Sequence, residues 1–320
     1  MSNGRTEGAE RTGWGPGPLY RVRTGELEIA YHVTGPAGGT PVMLLHGWPF
    51  SPVGSYAEVV TVLAARGYRC YVPYLRGHGQ TRFLRADIVR SGEQAALGAD
   101  LIAFMDALRI PRALFAGYDW GGRAADVAAA LWPDRCTGLV SVNGYLIQNL
   151  ATAQNPLAPS LEEGFWYFFY FSTERGREGL RRDREGLARE VWRRNSPQWD
   201  FTEAEFAETA ALWRNPDYVD VVVHSYRHRL GLAPGAPRYA ALERRLLDQP
   251  KITVPAVTLD GGADGVTPAT DGSGYAPHFS GPWAHHVVPG AGHNLPQERP
   301  GAFADAVSEA DSMGRHRLDR

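Results

Sequence analysis

The sequence predicts an α/β protein with a mostly parallel sheet flanked by helices. Segments typical of buried strands alternate with segments of helical periodicity, on both sides of a long helical stretch. Strands that alternate with helices form right-handed βαβ units, in which neighbouring strands run parallel. The 320 residues suffice for one large domain or two small ones around a substantial core.

The predicted elements follow in order along the chain. Residues 26–35 alternate polar and apolar side chains, whereas residues 41–50 form the continuous apolar run of a strand buried on both faces. The elements after them are a helix at 54–66, strands at 68–75, 113–120 and 136–144, and helices at 93–108 and 121–132. The alternation returns with strands at 252–262 and 284–293 and a last helix at 300–311.

Residues 145–240 interrupt this alternation, and we predict that they form a helical cap inserted into the α/β domain. Asn215-Pro216 and Gly231 are typical start and stop signals of a helix, whose apolar face includes Val219 and Tyr226. The predicted organisation comprises a flexible tail at 1–18, a core domain at 19–144 and 241–312, the cap at 145–240, and a C-terminal tail at 313–320.

The amino-acid composition limits the classes of binding partner that we expect for this protein. The 33 basic and 35 acidic residues leave a net charge of −2, so we expect neither nucleic acid nor a membrane as partner. Only two cysteines occur, Cys70 and Cys136, both in predicted strands, which favours a reduced, cytoplasmic protein. The 9 Trp, 14 Tyr and 12 Phe residues are enough to line a large apolar pocket.

Asp119 is the strongest candidate for a reactive residue. It lies at the centre of Gly117-Tyr118-Asp119-Trp120-Gly121-Gly122, between a predicted strand and a predicted helix. Small residues allow the sharp turn that lifts the central side chain above the sheet, beside backbone N–H groups. An ionised carboxylate there can attack an sp³ carbon that carries a leaving group, and water then hydrolyses the resulting ester.

From about residue 20 to 311 the chain resembles the α/β-hydrolase fold, and its Asp-Trp-Gly-Gly turn is similar to that of epoxide hydrolases and of haloalkane or haloacetate dehalogenases. The order Asp119, Asp264, His293 matches the nucleophile, acid and histidine of the fold. The resemblance implies that His293 is the base and that Asp264 orients it. Asn143 stands where some dehalogenases keep their acid, a role that asparagine cannot fill.

The segment His46-Gly47-Trp48-Pro49 resembles the His-Gly-X-Pro motif of epoxide hydrolases. This resemblance implies that the backbone N–H groups of Trp48 and Trp120 form an oxyanion hole. It also implies that His46 and Pro49 lie beside the substrate.

Two reactions remain open because the leaving group is not determined by the nucleophile. In epoxide hydrolases two cap tyrosines protonate the leaving oxygen, and the resemblance assigns these roles to Tyr167 and Tyr226. Trp166 and Tyr170 are alternatives to Tyr167 as the aromatic residue that faces the site.

A dehalogenase would instead hold a halide with the indole groups of Trp166 and Trp120. Arg123 resembles one of the two carboxylate-binding arginines of fluoroacetate dehalogenases, but Trp120 replaces the other.

We therefore predict an epoxide hydrolase that needs no cofactor and no metal. It would convert a small hydrophobic or aromatic epoxide and water into a vicinal diol. The alternatives are a dehalogenase with the same nucleophile and a non-catalytic ligand-binding relative of the fold. The sequence does not determine the oligomeric state, and a homodimer is left open.

Overall fold

A nine-stranded sheet forms the centre of residues 17–318, the part of the chain that the computed structural model describes. The strands are β1 Tyr20–Arg23, β2 Leu27–Thr34, β3 Thr40–Leu45, β4 Tyr68–Pro73, β5 Arg82–Phe83, β6 Ala113–Gly117, β7 Cys136–Val142, β8 Ala256–Gly261 and β9 Trp283–Val288. Their order in the sheet is β1-β2-β4-β3-β6-β7-β8-β9, and β5 pairs with β2. Among these described strands only the pairings of β2 are antiparallel, so the predicted α/β class is confirmed.

Helices cover the sheet and carry most of the remaining core. Helix α3 packs on β6 and β7, α12 on β7 and β8, and α1 on β4. The helices outside the central stretch are α1 Pro52–Ala65, α2 Gln94–Ala107, α3 Asp119–Leu131, α11 Leu295–Glu298 and α12 Pro300–Leu318. None of the helices within residues 17–318 is long and apolar enough to cross a membrane.

Seven further helices lie between β7 and β8, where every residue is described. They are α4 Pro159–Gly164, α5 Trp166–Ser172, α6 Glu174–Arg182, α7 Arg184–Asn195, α8 Glu203–Ala210, α9 Tyr218–Arg229 and α10 Ala240–Leu247. Helix α9 begins later than its sequence signals suggest, because the Asn215 side chain accepts a hydrogen bond from the backbone N–H of Asp217. Its predicted apolar face is buried, and Gly231 follows its end with a φ of 70°.

The structure shifts several predicted boundaries. The strand predicted at 41–50 ends at Leu45, and helix α3 already begins at Asp119. Helix α12 continues to Leu318, so the predicted tail from 313 onward is helical as far as the structure describes it. Strands β1 and β5 have no counterpart among the predicted elements, and nearly all of the predicted tail at 1–18 lies outside the described residues.

Close packing between β3 and α3 holds the turn at Asp119 in place. A Cβ atom on Gly121 would lie 1.9 Å from the backbone oxygen of Leu45, and one on Gly117 would lie 2.5 Å from the oxygen of Gly121. Backbone atoms cannot give way as a flexible side chain can, so these two positions need glycine.

We expect Gly121→Ala to lower the free energy of unfolding by about 1–3 kcal/mol, because the new methyl group overpacks the contact with β3. Gly301→Ala is the matched control: it lies in helix α12, and a Cβ atom there would meet no other atom within 4 Å. This control should leave the free energy unchanged or raise it by up to about 1 kcal/mol. Urea unfolding followed by circular dichroism measures both, and equal effects of the two changes would contradict the packing argument.

Candidate active site

Asp119 occupies the tip of the turn between β6 and α3, with a φ of 50°. Few residues other than glycine adopt this conformation, which here directs the carboxylate away from the sheet. The backbone N–H of Trp48 donates to Asp119 Oδ1 at 2.7 Å. A second backbone hydrogen bond, from Trp120, helps to lower the pKa of the carboxyl group. The two predicted oxyanion-hole groups therefore both reach the Asp119 carboxylate, Trp48 at Oδ1.

His293 and Asp264 come together from the loops after β9 and β8. His293 Nδ1 lies 2.8 Å from Asp264 Oδ2, and His293 Nε2 lies 3.6 Å from Asp119 Oδ2. The backbone N–H groups of Val266 and Thr267 donate to Asp264 Oδ1 at 2.8 and 3.0 Å. These bonds fix the carboxylate, which in turn orients the imidazole towards Asp119.

Asn143 lies directly beside this pair. Its Nδ2 donates to Asp264 Oδ2 at 3.1 Å. The position predicted to lack an acid thus supplies a hydrogen bond to the acid that is present.

The charges of Asp119 and His293 support each other. Burial lowers the pKa of His293, but the carboxylates of Asp264 and Asp119 outweigh it and raise that pKa to about 10. Burial raises the pKa of Asp119, but the hydrogen bond and charge of His293 and the two backbone N–H groups bring it below its ordinary value. At neutral pH the resting site therefore holds an ionised Asp119 against a protonated His293.

Tyr226, on helix α9, contacts Trp120, the residue that follows Asp119. Its hydroxyl oxygen accepts a hydrogen bond from Trp120 Nε1 at 3.2 Å, and the side chain is fully buried. Burial, with the nearby Tyr167 and the charge of Asp119, raises the pKa of Tyr226 far above its ordinary value. Because the indole occupies a lone pair of the oxygen, the O–H proton stays available to another acceptor.

Tyr167, on helix α5, is the partner of Tyr226. The two ring centroids are 5.3 Å apart, and the Tyr167 ring also packs on Trp48 at 5.4 Å. Burial raises the pKa of Tyr167, and the charge of Asp119 adds to the effect. Tyr170 turns instead towards Gly179, so Tyr167 rather than Tyr170 approaches the site. Trp166 packs edge-on against Tyr167 at 5.9 Å, and its buried Nε1 has no hydrogen-bond partner among the described residues.

His46 and Pro49, both predicted to contact substrate, are buried and hydrogen-bonded to other parts of the chain. His46 is fully buried, donates from Nδ1 to the Gly47 oxygen at 2.9 Å, and accepts from the Leu75 N–H at 3.1 Å. Burial lowers the pKa of His46 to about 3, so it stays neutral. Pro49 is buried, and its carbonyl oxygen accepts from Trp192 Nε1 at 3.2 Å. Both ring nitrogens of His46 are thus bonded to backbone, and its contact with substrate stays a prediction.

Arg123 is buried one turn after Asp119. Its guanidinium group donates to the backbone oxygen of Leu146, and its Nε has no hydrogen-bond partner within residues 17–318. Burial and the charge of Arg229 lower its pKa to about 9.

Arg123 and Arg229 both line a cavity of about 570 Å³. Phe168 lines the same cavity and packs on the Tyr226 ring at 4.7 Å, while the Arg229 guanidinium lies over the Phe168 ring at 4.4 Å. Asp119 does not line this cavity. The cavity therefore adjoins the tyrosine pair through Phe168.

Sequence reasoning missed Tyr218, which accepts a hydrogen bond from Trp48 Nε1 at 2.8 Å. Tyr218 begins helix α9, and its apolar surroundings could have indicated a buried hydroxyl in need of a partner.

Comparison with known proteins places this architecture in a family. Residues 40–300 match the model of the alpha/beta hydrolase fold family, and the chain belongs to that family. Within it, a presumed epoxide hydrolase from Klebsiella pneumoniae is 47% identical, with a TM-score of 0.89 over 92% of this chain and 97% of that chain. Epoxide hydrolase A of Mycobacterium tuberculosis is 27% identical over 90% of this chain and 95% of its own length.

A structural match to a presumed acyltransferase from Salmonella enterica concerns the fold alone. That protein is 22% identical, with a TM-score of 0.77 over 93% of this chain and 97% of that chain. The side chains of the site, rather than the fold, must therefore identify the reaction.

We expect Asp119→Asn to lower the pKa of His293 by roughly one to three pH units, since it removes one of the two carboxylates that hold the proton on the ring. The wild-type value is about 10. NMR titration of labelled histidines measures both. Asp305→Asn is the control, because Asp305 is exposed and pairs with Arg66 at 2.7 Å, away from the site. An unchanged His293 titration in Asp119→Asn would refute the mutual stabilisation.

Proposed function

We propose that this protein is an epoxide hydrolase in which Asp119 forms a covalent ester with the substrate. The observation that carries the proposal is the proximity of an ionised Asp119 to two buried tyrosines: Tyr226 is hydrogen-bonded to Trp120, the residue after Asp119, and the Tyr167 ring packs against Tyr226. A nucleophile with proton donors nearby suits a strained ring that must be attacked at carbon and protonated at oxygen. The similarity to relatives named epoxide hydrolases supports the same reaction.

Ring opening uses Oδ2 of Asp119, the oxygen that faces His293, rather than Oδ1, which accepts from the Trp48 N–H. Oδ2 attacks a ring carbon, the bond from that carbon to the epoxide oxygen breaks, and the oxygen leaves as an alkoxide that Tyr226 protonates, with Tyr167 as second donor. The raised pKa values of both tyrosines keep them protonated at neutral pH until the alkoxide forms. The bond from Trp120 Nε1 to Tyr226 stabilises the tyrosinate that remains.

Hydrolysis of the ester depends on a change of charge. Once Asp119 is esterified, one of the carboxylates that raise the pKa of His293 has lost its charge, and His293 passes its proton to the tyrosinate. The neutral imidazole then takes a proton from water, which attacks the ester carbonyl of Asp119. The N–H groups of Trp48 and Trp120 hold the oxyanion. When this intermediate collapses, the bond from the Asp119 carbonyl carbon to the substrate oxygen breaks and the departing alkoxide takes the proton of the new carboxyl group, which leaves the diol, an ionised Asp119 and a protonated His293.

The dehalogenase alternative has less support. A departing halide needs free N–H dipoles, but the indole N–H of Trp120 is bonded to the Tyr226 hydroxyl. Arg123 donates to the Leu146 carbonyl, and the neighbouring residue that would complete a carboxylate clamp is Trp120. A non-catalytic role has no observation in its favour, because the proposed nucleophile, base, acid and oxyanion groups lie beside one another.

We also propose that residues 145–240 act as a cap that supplies the proton donors and an aromatic wall to the site. Phe168 and the rings of Tyr167 and Tyr226 favour a small hydrophobic or aromatic epoxide, with water as the second substrate. Both cysteines are free and buried, which supports a cytoplasmic location.

Incubation with an aryl epoxide should give the vicinal diol, whereas haloacetates and haloalkanes should release no halide above background. Chromatography of the diol and a halide electrode measure the two products. Asp119→Asn, which keeps the size of the side chain but removes its charge, should abolish diol formation. Halide release by wild type without diol formation would overturn the proposal.

Tyr226→Phe should slow ring opening by about 100-fold or more, because a general acid contributes about 10²–10⁴-fold, and should change ester hydrolysis far less. Rapid-quench measurement of the covalent ester separates the two steps. Tyr145→Phe is the control, since the Tyr145 hydroxyl donates to the Pro250 oxygen at 2.9 Å and plays no part in the mechanism. If Tyr226→Phe slows both steps equally, Tyr226 has a packing role only.

A further inference from the structure

Glu93, His228 and Glu243 form a second cluster of titratable side chains, which the proposed mechanism does not use. One ligand atom from each of the three lies within 4.8 Å of the others. Glu93 precedes helix α2, His228 lies on α9 and Glu243 on α10. Their separation along the chain explains why no metal-binding spacing is visible in the sequence.

Glu93 is held so that one of its oxygens points into the cluster without a partner. Its Oε1 accepts hydrogen bonds from the Ser91 hydroxyl at 2.6 Å and from the Ala236 N–H at 2.7 Å. Its Oε2 is buried, has no hydrogen-bond partner in the described part of the chain, and lies 3.7 Å from His228 Nε2. The residue is only 1% exposed. An unpaired carboxylate oxygen in the interior is costly, so the arrangement calls for a cation at this point.

Glu243 is oriented in a similar way. Its Oε1 accepts from the Ala95 N–H at 3.0 Å, and its Oε2 accepts from Gln94 Nε2 at 3.1 Å. Each oxygen keeps a further lone pair. Hydrogen bonds of this kind fix the direction of carboxylates that ligate metals.

The space between the three side chains is kept open by Gly235. A Cβ atom on this residue would lie 2.1 Å from Glu93 Oε2 and 3.1 Å from His228 Nε2. A cavity of about 400 Å³ is lined by Gly235 and by all three members of the cluster. An ion bound there would therefore have room for water as an additional ligand.

We propose that Glu93, His228 and Glu243 bind a divalent transition-metal ion, Zn²⁺ in the first place. One imidazole and two carboxylates are ligands that Zn²⁺ accepts, whereas Mg²⁺ and Ca²⁺ prefer oxygen alone. Zinc bonds of about 2.0–2.2 Å set tetrahedral ligand atoms roughly 3.3–3.6 Å apart, close to the observed Glu93–His228 distance of 3.7 Å. The ligand atom of Glu243 lies within 4.8 Å of the other two, so binding would require it to move closer.

The metal would join three helices that lie far apart along the chain. It would tie α9, which carries Tyr226, to the start of α2 and to α10. The ion would thus hold the proton-donating helix in place without taking part in epoxide chemistry.

The test uses the full-length protein without an affinity tag, stripped with a chelator and dialysed. Calorimetric titration with Zn²⁺, with metal analysis of the repurified protein, should give one ion per chain. Glu93→Gln and His228→Ala should each weaken Zn²⁺ binding by about 100-fold or more. Titration with Co²⁺ should give the visible absorption of a four-coordinate site in wild type, and neither variant should give it.

His224→Ala is the matched control, because His224 stacks on His228 but bonds to the Gly92 N–H and the Pro234 oxygen with its two nitrogens. It should bind Zn²⁺ like wild type, and near-ultraviolet circular dichroism should verify that each variant is folded. The proposal fails if wild type binds no stoichiometric Zn²⁺, or if folded His228→Ala and Glu93→Gln still bind it. Metal binding needs no epoxide, so its failure is distinct from failure of the diol assay.

Discussion

The structure of the site depends on the mutual stabilisation of two buried charges, on Asp119 and His293. Each would be costly alone in the interior, and each shifts the pKa of the other towards the charged form. The glycine contacts between β3 and α3, the loop that carries Asp264 and the N–H groups of Trp48 and Trp120 all serve to hold this pair in position. In the proposed mechanism, esterification of Asp119 removes one charge, and this loss converts a protonated imidazole into a base.

Trp120 connects the nucleophile with the proton donors. Its backbone N–H bonds to Asp119, and its indole N–H bonds to the hydroxyl of Tyr226. In the proposed mechanism, one residue would therefore orient both the group that attacks carbon and the group that protonates oxygen. The same indole would have to be free in a halide site, so this hydrogen bond favours epoxide opening over halide departure.

The fold class, the family and the residues at strand ends could be predicted because they depend on local patterns. Asp119 and His293 each follow a strand, and parallel strands bring their carboxyl ends to one edge of the sheet. A motif does not reveal where a ring nitrogen finds its partner: His46 accepts from the Leu75 N–H, which a distant loop supplies. Strand β5, with two residues, exists only through its pairing with β2.

The helical stretch is harder to predict in detail. Residues 174–194 are rich in charged side chains but form two helices rather than one. The Asp183 side chain accepts a hydrogen bond from the Gly186 N–H and thereby caps the start of the second helix. Tyr167 could be placed only by resemblance, because seven consecutive aromatic residues have no polar face from which to read a register. The cluster of Glu93, His228 and Glu243 is a product of tertiary structure alone.

Helix α9 is attached to both halves of the oxyanion hole. Trp48 reaches Tyr218 and Trp120 reaches Tyr226 through their indole N–H groups, at 2.8 and 3.2 Å. A hinged opening of this helix would break both bonds and would detach the proton donor from the nucleophile. An opening that moves only side chains would leave both bonds intact and keep the proton donor beside the nucleophile throughout the reaction cycle.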